Sequence, residues 1–479
     1  MLKKTDQSAI LSYLEDSSNL KGGHADGLLL PVNEAEIKDA IKECSAKGIR
    51  LTVSGGTTGT TGGCIPFGGW LLGMEKLERI IDIDPAKRSA TVQPAVTLEK
   101  LDAELKKAGL LYPPDPTEAT AFIGGTVATN ASGSRSLKFG ATRDWVRRLK
   151  IVLSTGEVLN INRSPKFRVK DSQFNNTHYG LRITDYAMPQ VKNEAGYYSQ
   201  PDMDLLDLFI GSEGTLGVVT EIEVGLIPRF RDTFDIIAFF PDEKEAFDFV
   251  IEARKRDALT LEYFDRNSLE LLRLDHPLLP NGSGAAVYLE TEITEENGSS
   301  YLDQWAAALE KHKVKIDDAW LGMNEKQKED LRKFRHAMPE HINDEFKKHN
   351  TVKFASDIAV PDDKFREMFD YYNSELVPVS DRIFWVKFGH IGQNHLHVNL
   401  VPRTQTDVPL AKEIIMRFVK KAVSLGGTCS AEHGIGKIKH DYLKEMYGEK
   451  GIAEMVRVKK YFDPACVLNR GNIFPEELL

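Results

Sequence analysis

Cysteine is scarce. The 479-residue chain holds four, Cys44, Cys64, Cys429 and Cys466, and none form a CxxC pair. That rules out a disulfide scaffold and argues against a zinc ribbon or iron–sulfur cluster carried by this chain. It fits a reducing, cytoplasmic setting. No apolar run approaches the roughly 20 residues of a membrane span. The opening MLKKTDQSAILSYLEDSSNL has no apolar core leading to a cleavage site, so no secretory signal is read there. Positive charge is also short: 62 Lys and Arg against 71 Asp and Glu leave a net charge of −9. A nucleic-acid footprint needs the opposite balance. With 41% hydrophobic and 28% charged residues, the composition is that of a globular protein, and the length points to about three domains.

What is present is patterned. EAEIKDAIKECSAK (34–47) spaces Ile37, Ala40, Ile41 and Cys44 as one face of a helix, with Gly48 as its stop. IRLTV (49–53) reads as a strand, and WLLGM (70–74) as an apolar segment. ERIIDID and SATVQP read as strands around the turn DPAKR. A helix over 97–108 starts at Thr97 and aligns Leu98, Leu101 and Leu105. From about residue 228, strand-like FDIIAFF and AAVYLETEI alternate with helix-like EKEAFDFVIEARKR and SYLDQWAAALEKHKV, the texture of a second, α+β domain. From about 425, glycine-rich turns and helices return. The stretch 163–204 keeps no sustained period. It reads as a long excursion, either a variable surface loop or a lid or partner-docking element.

Two stretches suit a phosphate-bearing ligand. SGGTTGTTGG (54–63) alternates glycines with threonines, so that successive N–H groups and hydroxyls can face an anion. No Gly-Lys-Ser/Thr closes it, so it is no Walker A loop, and no helix follows, so it fails as a dinucleotide fingerprint. A plain flexible loop is the competing reading. YPPDPTEATAFIGGTVATNASGSRSLKFGATRDWV (112–146) adds a proline-set turn, a Gly-Gly pair and a run of small residues from Ala128 to Ser134. Backbone approaches a flat ligand closely only where side chains are small.

GHIGQNHLHVNL (389–400) is dense in imidazole. RIFWVKF (382–388) before it reads as a strand with Phe384, Val386 and Phe388 on one side. HLHVNLVP then alternates, with His395, His397 and Asn399 on one face and Leu396, Val398 and Leu400 on the other. CSAEHGIGK (429–437) supplies Glu432 and His433 in a glycine-flanked turn. Two histidines and a carboxylate suit a divalent cation with open positions, and His433 could serve as a base beside it. A solvated or core-satisfied polar hairpin and metal-free catalysis remain alternatives on residues alone.

Taken together and in order, these segments resemble the FAD-linked oxidase family, the vanillyl-alcohol-oxidase or p-cresol-methylhydroxylase type of flavin fold. The likeness runs from about residue 28 to the C-terminus. It implies an α+β chain with an FAD-binding domain over 1–227, a substrate or cap domain with an antiparallel sheet over 228–424, and a segment over 425–479 that completes the active site and the flavin domain. The implied flavin contacts are Ser54, Gly55, Gly56, Thr57, Thr58, Gly59, Thr60 and Gly63 in the pyrophosphate loop, then Pro114, Asp115, Pro116, Gly124, Gly125, Asn130, Ser132, Gly133 and Gly140. Gly214, Gly217 and Val219 of GSEGTLGVV, and Asn472, complete the set. Ser54 and Thr57 stand where members commonly show Arg and Gly. Covalent attachment in this fold uses His, Cys or Tyr. The loop 54–63 has none and Cys64 lies just past it, so the FAD is expected to be non-covalent.

The hairpin and EHGIG are similar to the D-2-hydroxyacid dehydrogenase branch, which includes D-lactate, D-2-hydroxyglutarate and glycolate-oxidising flavoproteins. That likeness implies a divalent metal (zinc, manganese or iron) on His390, His397 and Glu432, a substrate-side Asn399, and His433 as general base. It also implies that Arg335 grips the substrate carboxylate, with Lys353 as a second cation. Gln393, Asn394 and His395 depart from the branch, which usually shows Asp, Gly and Asn there. Pro339 stands where dicarboxylate-specific members often show threonine. The implied activity is oxidation of a D-2-hydroxy acid, D-lactate-like, with electrons leaving to an electron-transferring flavoprotein or an iron–sulfur subunit. Rival readings are an FAD-carrying relay subunit, an alkyl-glycerone-phosphate or aldonolactone type enzyme of the same fold, and a metal-binding interaction protein that has lost FAD.

Overall fold

A computed structural model describes residues 1–163, 186–200, 203–294 and 298–479. Most of the 163–204 excursion therefore lies outside the described residues. Strands Leu2–Lys4, Gly27–Leu30, Trp70–Gly73 and Leu51–Ser54 lie side by side in that order, and the last three run parallel. Parallel neighbours need a crossover. The helix Glu34–Lys47 provides it, capped by Asn33 and ended at Gly48 in the left-handed region. Its stripe Ile37, Ala40, Ile41 and Cys44 packs on Leu29, Leu51 and Leu72.

A five-stranded antiparallel sheet follows, in the order Ile80–Asp84, Ser89–Val92, Val218–Gly225, Val146–Val152, Val158–Asn162. The helix Leu98–Lys107 begins where the sequence predicts, with the Thr97 hydroxyl accepting from Lys100 N, and it buries Leu101 and Leu105.

The second half builds an eight-stranded sheet. Its order is Trp320–Gly322, Asp232–Phe240, Ala285–Ile293, Ala258–Asp265, Ile383–Gly389, His395–Pro402, with Phe354–Ala355 and Ile358–Ala359 both pairing with the last. Both faces are covered. Ile236, Ala238 and Phe240 pack with Phe249 and Trp305, while Ile237 and Phe239 pack with Phe334 and Met338. A sheet buried on both sides loses the alternation of a half-wet one, and the strand Ala285–Ile293 is buried without a break from Ala285 to Thr291.

The C-terminal part closes the molecule. After helices Val408–Ser424 and His440–Phe462, the latter kinked at Gly448, the chain returns to the first sheet. Leu51 N donates to Val467 O at 2.8 Å and Asn469 N donates to Leu51 O at 3.0 Å. The turn between these helices rests on the glycine loop, with Lys437 N donating to Thr61 O at 2.9 Å. Gly436 sits there at φ +52°, and a Cβ would lie 2.0 Å from the Thr61 carbonyl oxygen. Among the described residues no helix is long and apolar enough to cross a membrane.

Gly436→Ala should therefore lower the melting temperature by more than Gly48→Ala does. Gly48 shares the left-handed backbone, at φ +63°, but has open space around it. The backbone term alone is about 1–2 kcal/mol in each. Equal melting curves for the two variants would show that the contact with Thr61 carries no stability.

Candidate active site

A cleft of about 660 Å³ runs between the glycine-rich floor and the eight-stranded sheet. Gly55, Gly56, Thr57, Thr58, Gly59, Thr60 and Gly63 form one wall. Pro116, Gly124, Gly125, Ser132, Gly214, Gly217, Val219 and Asn472 continue it. Lys353, His390, His397, Asn399, Glu432 and His433 face it from the far half of the chain. A wall of glycines, small residues and hydroxyls leaves main-chain groups open to a diphosphate and room for a flat ring.

Other residues expected at the flavin do not line the cleft, and each has a structural reason. Ser54 ends a strand, fully buried. Pro114 and Asp115 turn behind Gly133, where a Cβ would meet the Asp115 carbonyl oxygen at 1.8 Å. The Asp115 carboxylate accepts from Ser134 Oγ at 2.7 Å. Asn130 accepts from Arg143 N at 2.7 Å and donates to Glu194, so it braces the loop rather than a ligand. Gly140 ends the short helix Ser136–Phe139 against Asp144.

The hairpin strand His395–Pro402 puts Leu396, Val398 and Leu400 into the core and turns His397 and Asn399 to the cleft. Imidazole nitrogens gather around one oxygen, Glu432 Oε2: His390 Nε2 at 3.0 Å, His395 Nδ1 at 3.8 Å and His397 Nε2 at 3.8 Å. The other oxygen of Glu432 accepts from Ser132 Oγ at 3.0 Å and lies 3.5 Å from Lys192 Nζ. Behind the cluster, Glu262 contacts His390 Nδ1 at 2.6 Å and Asp357 Oδ1 lies 3.0 Å from His395 Nε2.

Charge follows this layout. Burial disfavours the charged form of His390, but the carboxylates of Glu262 and Glu432 outweigh it and raise its pKa. Burial, then the Lys192 charge, push His395 down to about 4. Burial and the neighbouring histidines hold His397 well below its usual value. Burial also lowers His433, and the Asp357 carboxylate pulls it part of the way back. The His433 side chain keeps 32% of its surface exposed and its Nδ1 lies 3.5 Å from Asp357 Oδ2. It is thus a neutral imidazole at neutral pH, facing the cleft. Asp357 is held ionised: despite burial, His433 and Lys439 keep its pKa well below the ordinary range.

Of the two expected carboxylate cations, Lys353 lines the cleft, with its Nζ donating to Asn343 Oδ1 at 2.8 Å. Arg335 lies one layer back. Its Nε is 3.5 Å from Glu262 Oε2, and it does not line the cleft. It ends the helix Glu325–His336 on the side facing the sheet, with the burial that placement brings.

Sequence reasoning did not single out Asp357, Glu262, Glu213 or Lys192. Glu262 and Asp357 are isolated acids among apolar residues with no motif of their own, Glu213 sits within GSEGTLG, where the glycines carried the reading, and Lys192 lies in the aperiodic excursion. Glu213 is the tie between the halves. Its carboxylate accepts from Ile435 N at 2.7 Å and Gly436 N at 2.8 Å. Its main-chain oxygen accepts from Asn469 Nδ2 and Asn472 Nδ2 at 2.8 and 3.1 Å. Glu213→Gln turns one acceptor into a donor aimed at an N–H. The expected cost is about 1–3 kcal/mol, read as a lower melting temperature, together with loss of bound flavin on gel filtration. Unchanged melting and retention would remove Glu213 from this role.

The chain matches the model of the C-terminal domain of FAD-linked oxidases over residues 233–473 and that of an FAD-binding domain over 25–162. It is 30% identical over 453 residues to a D-lactate dehydrogenase of Anaerostipes hadrus, covering 91% of this chain and 87% of that one. It is 28% identical to the glycolate oxidase subunit GlcD of Bacillus subtilis, with 98% and 93% covered. In fold it is similar to the 4-ethylphenol oxidase of Gulosibacter chungangensis, with a TM-score of 0.71 at 16% identity, covering 100% of this chain and 95% of that one. The flavin-type α+β fold expected from the sequence is thus the one observed, and the chain belongs to the FAD-linked oxidase family, as an FAD-dependent oxidoreductase of the kind that includes D-lactate dehydrogenases.

Proposed function

We propose that the chain oxidises a small D-2-hydroxy acid, D-lactate-like, to the 2-keto acid with metal assistance, and passes the electrons to a protein partner. We take residues 1–227 as the flavin domain, 228–424 as the substrate domain and 425–479 as the segment that completes the site. What supports the reading is one shared cleft, with small backbone on one wall and a buried imidazole–carboxylate cluster on the other.

The donor set suits both groups the reading requires. The glycine wall suits FAD. His390, His397 and Glu432 would hold a divalent zinc, manganese or iron ion, since two neutral nitrogens and a carboxylate match its chemistry. FAD supplies a hydride acceptor, and a cation at the cluster supplies positive charge beside the substrate hydroxyl. We take the FAD as non-covalent, because the loop 54–63 offers no His, Cys or Tyr, and burial and Asp16 raise the pKa of the Cys64 thiol just past it, which disfavours its thiolate.

The remaining work belongs to side chains. Lys353 meets the substrate carboxylate, and Arg335 adds positive charge from behind Glu262. Pro339, Ile342 and Phe346 line the cleft beside Lys353. An apolar wall of that kind favours a small monocarboxylate over a substrate with a second charge. Asn399 orients the hydroxyl side. His433 removes the hydroxyl proton, and Asp357 holds its ring and stabilises the imidazolium that forms. The chain has no dinucleotide fingerprint for NAD and no cluster cysteines, so the exit for electrons is a partner such as an electron-transferring flavoprotein or an iron–sulfur subunit.

D-lactate, and not L-lactate, should bleach the visible flavin absorbance anaerobically, and a chelator should abolish the bleaching until metal is returned. A flavin that no 2-hydroxy acid bleaches, but that a protein electron donor reduces, would favour the relay-subunit reading. Asp357→Asn should lower kcat about 10–100-fold, the range typical of a lost orienting partner, with KM little changed. The Asp357 charge raises the pKa of His433, and a base works only when neutral. Removing the charge should therefore move the acid-side loss of kcat to lower pH; an unmoved limb would separate Asp357 from the base.

A further inference from the structure

The cluster holds more donors than this reading uses. His395 is fully buried, and among the described residues neither its Nε2 nor its Nδ1 makes a hydrogen bond. Leaving a buried polar nitrogen unmatched is costly, so the Nδ1 in this state calls for a ligand. That nitrogen looks toward Glu432 Oε2, the same oxygen that His390 Nε2 and His397 Nε2 approach. One ligand atom from each of His390, His395, His397 and Glu432 lies within 4.8 Å of the other three.

The outer contacts sort the nitrogens. The far nitrogen of His390 is hydrogen-bonded to Glu262 at 2.6 Å, and the far nitrogen of His395 lies 3.0 Å from Asp357 Oδ1 without making a hydrogen bond. A carboxylate on the remote nitrogen fixes the ring and turns the near nitrogen toward a metal. His390 has that arrangement, and His395 has the Asp357 carboxylate beside its remote nitrogen, with its Nδ1 toward Glu432. Asp357, His397 and His433 also bring ligand atoms within 4.8 Å of one another. In that second group Asp357 Oδ2 is already spent, accepting from Lys439 Nζ at 2.7 Å, Ser430 Oγ at 2.8 Å and His433 N at 2.9 Å.

We propose that His395 is a fourth protein ligand, through Nδ1, in a three-imidazole, one-carboxylate site for a late first-row divalent cation. The inference rests on the metal reading above and adds a residue to it. Three imidazoles favour zinc and its neighbours over magnesium, calcium or manganese. Four protein ligands complete a tetrahedral zinc shell, whereas an ion that takes five or six ligands keeps positions open in the same cage.

The test uses the full-length flavoprotein, stripped of metal with a chelator and reloaded with one equivalent of zinc. X-ray absorption at the zinc edge should count three imidazoles with Zn–N near 2.0–2.1 Å; a count of two overturns the proposal. His395→Asn and His395→Gln should each weaken zinc by more than the roughly 10–100-fold typical of losing an outer partner, with flavin content and circular dichroism retained. Unchanged zinc affinity in both also overturns it. If His397→Ala loses zinc while the position-395 variants keep it, the fourth ligand falls and the metal reading stands. If the wild-type protein takes up no zinc, cobalt or iron, both fall together. Should the variants fail to fold, the imidazole count on wild-type protein decides.

Discussion

A carboxylate that accepts two main-chain N–H groups from another part of the chain is the constraint on which this site depends. Glu213 belongs to the glycine-rich floor, and Ile435 and Gly436 belong to a turn more than two hundred residues later. That clasp seats the turn on the loop 54–63 and so fixes Glu432 and His433, which precede it, over the cleft. Burial raises the pKa of Glu213, and the two N–H groups pull it back toward the ionised form. The clasp is therefore strongest when the carboxylate is charged, because charge-assisted hydrogen bonds are roughly twice as strong as neutral ones.

Around that clasp the protein buries charge in chains. Asp115 accepts from Ser134 and faces Arg135 and Arg335. Arg135 binds Glu290 through two hydrogen bonds, at 2.7 and 2.9 Å, across the boundary between the glycine-rich floor and the large sheet. Arg335 reaches Glu262, which holds His390. Buried pairs of this kind contribute little net stability, because desolvation offsets their attraction. They fix geometry: each charge has one favourable place, and loss of any member leaves its partner buried and unmatched. Arg335 and the histidine cluster are thus linked through the shared carboxylate of Glu262 rather than set independently.

Much of the fold was legible in the sequence. The helix Glu34–Lys47, the start of the next at Thr97 and the strand Ala285–Ile293 fall where periodicity and caps place them, since short-range hydrogen bonding and one-sided burial leave a local trace. The histidine strand was legible in its alternation. Less of the site could be read. Glu262 lies in a strand that looks apolar and Asp357 just before a two-residue strand, and their roles come from pairings across the sheet, Tyr263 with Gly389 and Ala359 with His395. Arg335 illustrates the converse: its residue type suits a carboxylate, but its place on the helix turns it inward to Glu262.

The sequence by itself determined the class of protein, an FAD-linked oxidoreductase with small backbone suited to a dinucleotide, and it offered imidazoles and a carboxylate without deciding what they hold. These follow from residue types and spacings of a few positions, where chain geometry allows little choice. Only the tertiary structure decided which of those groups meet. Glu432 joins the hairpin histidines, Asp357 divides between His395 and His433, and Lys353 rather than Arg335 faces the cleft. Such contacts join residues tens to hundreds of positions apart, and sheet register, burial and charge pairing select them, none of which is written locally.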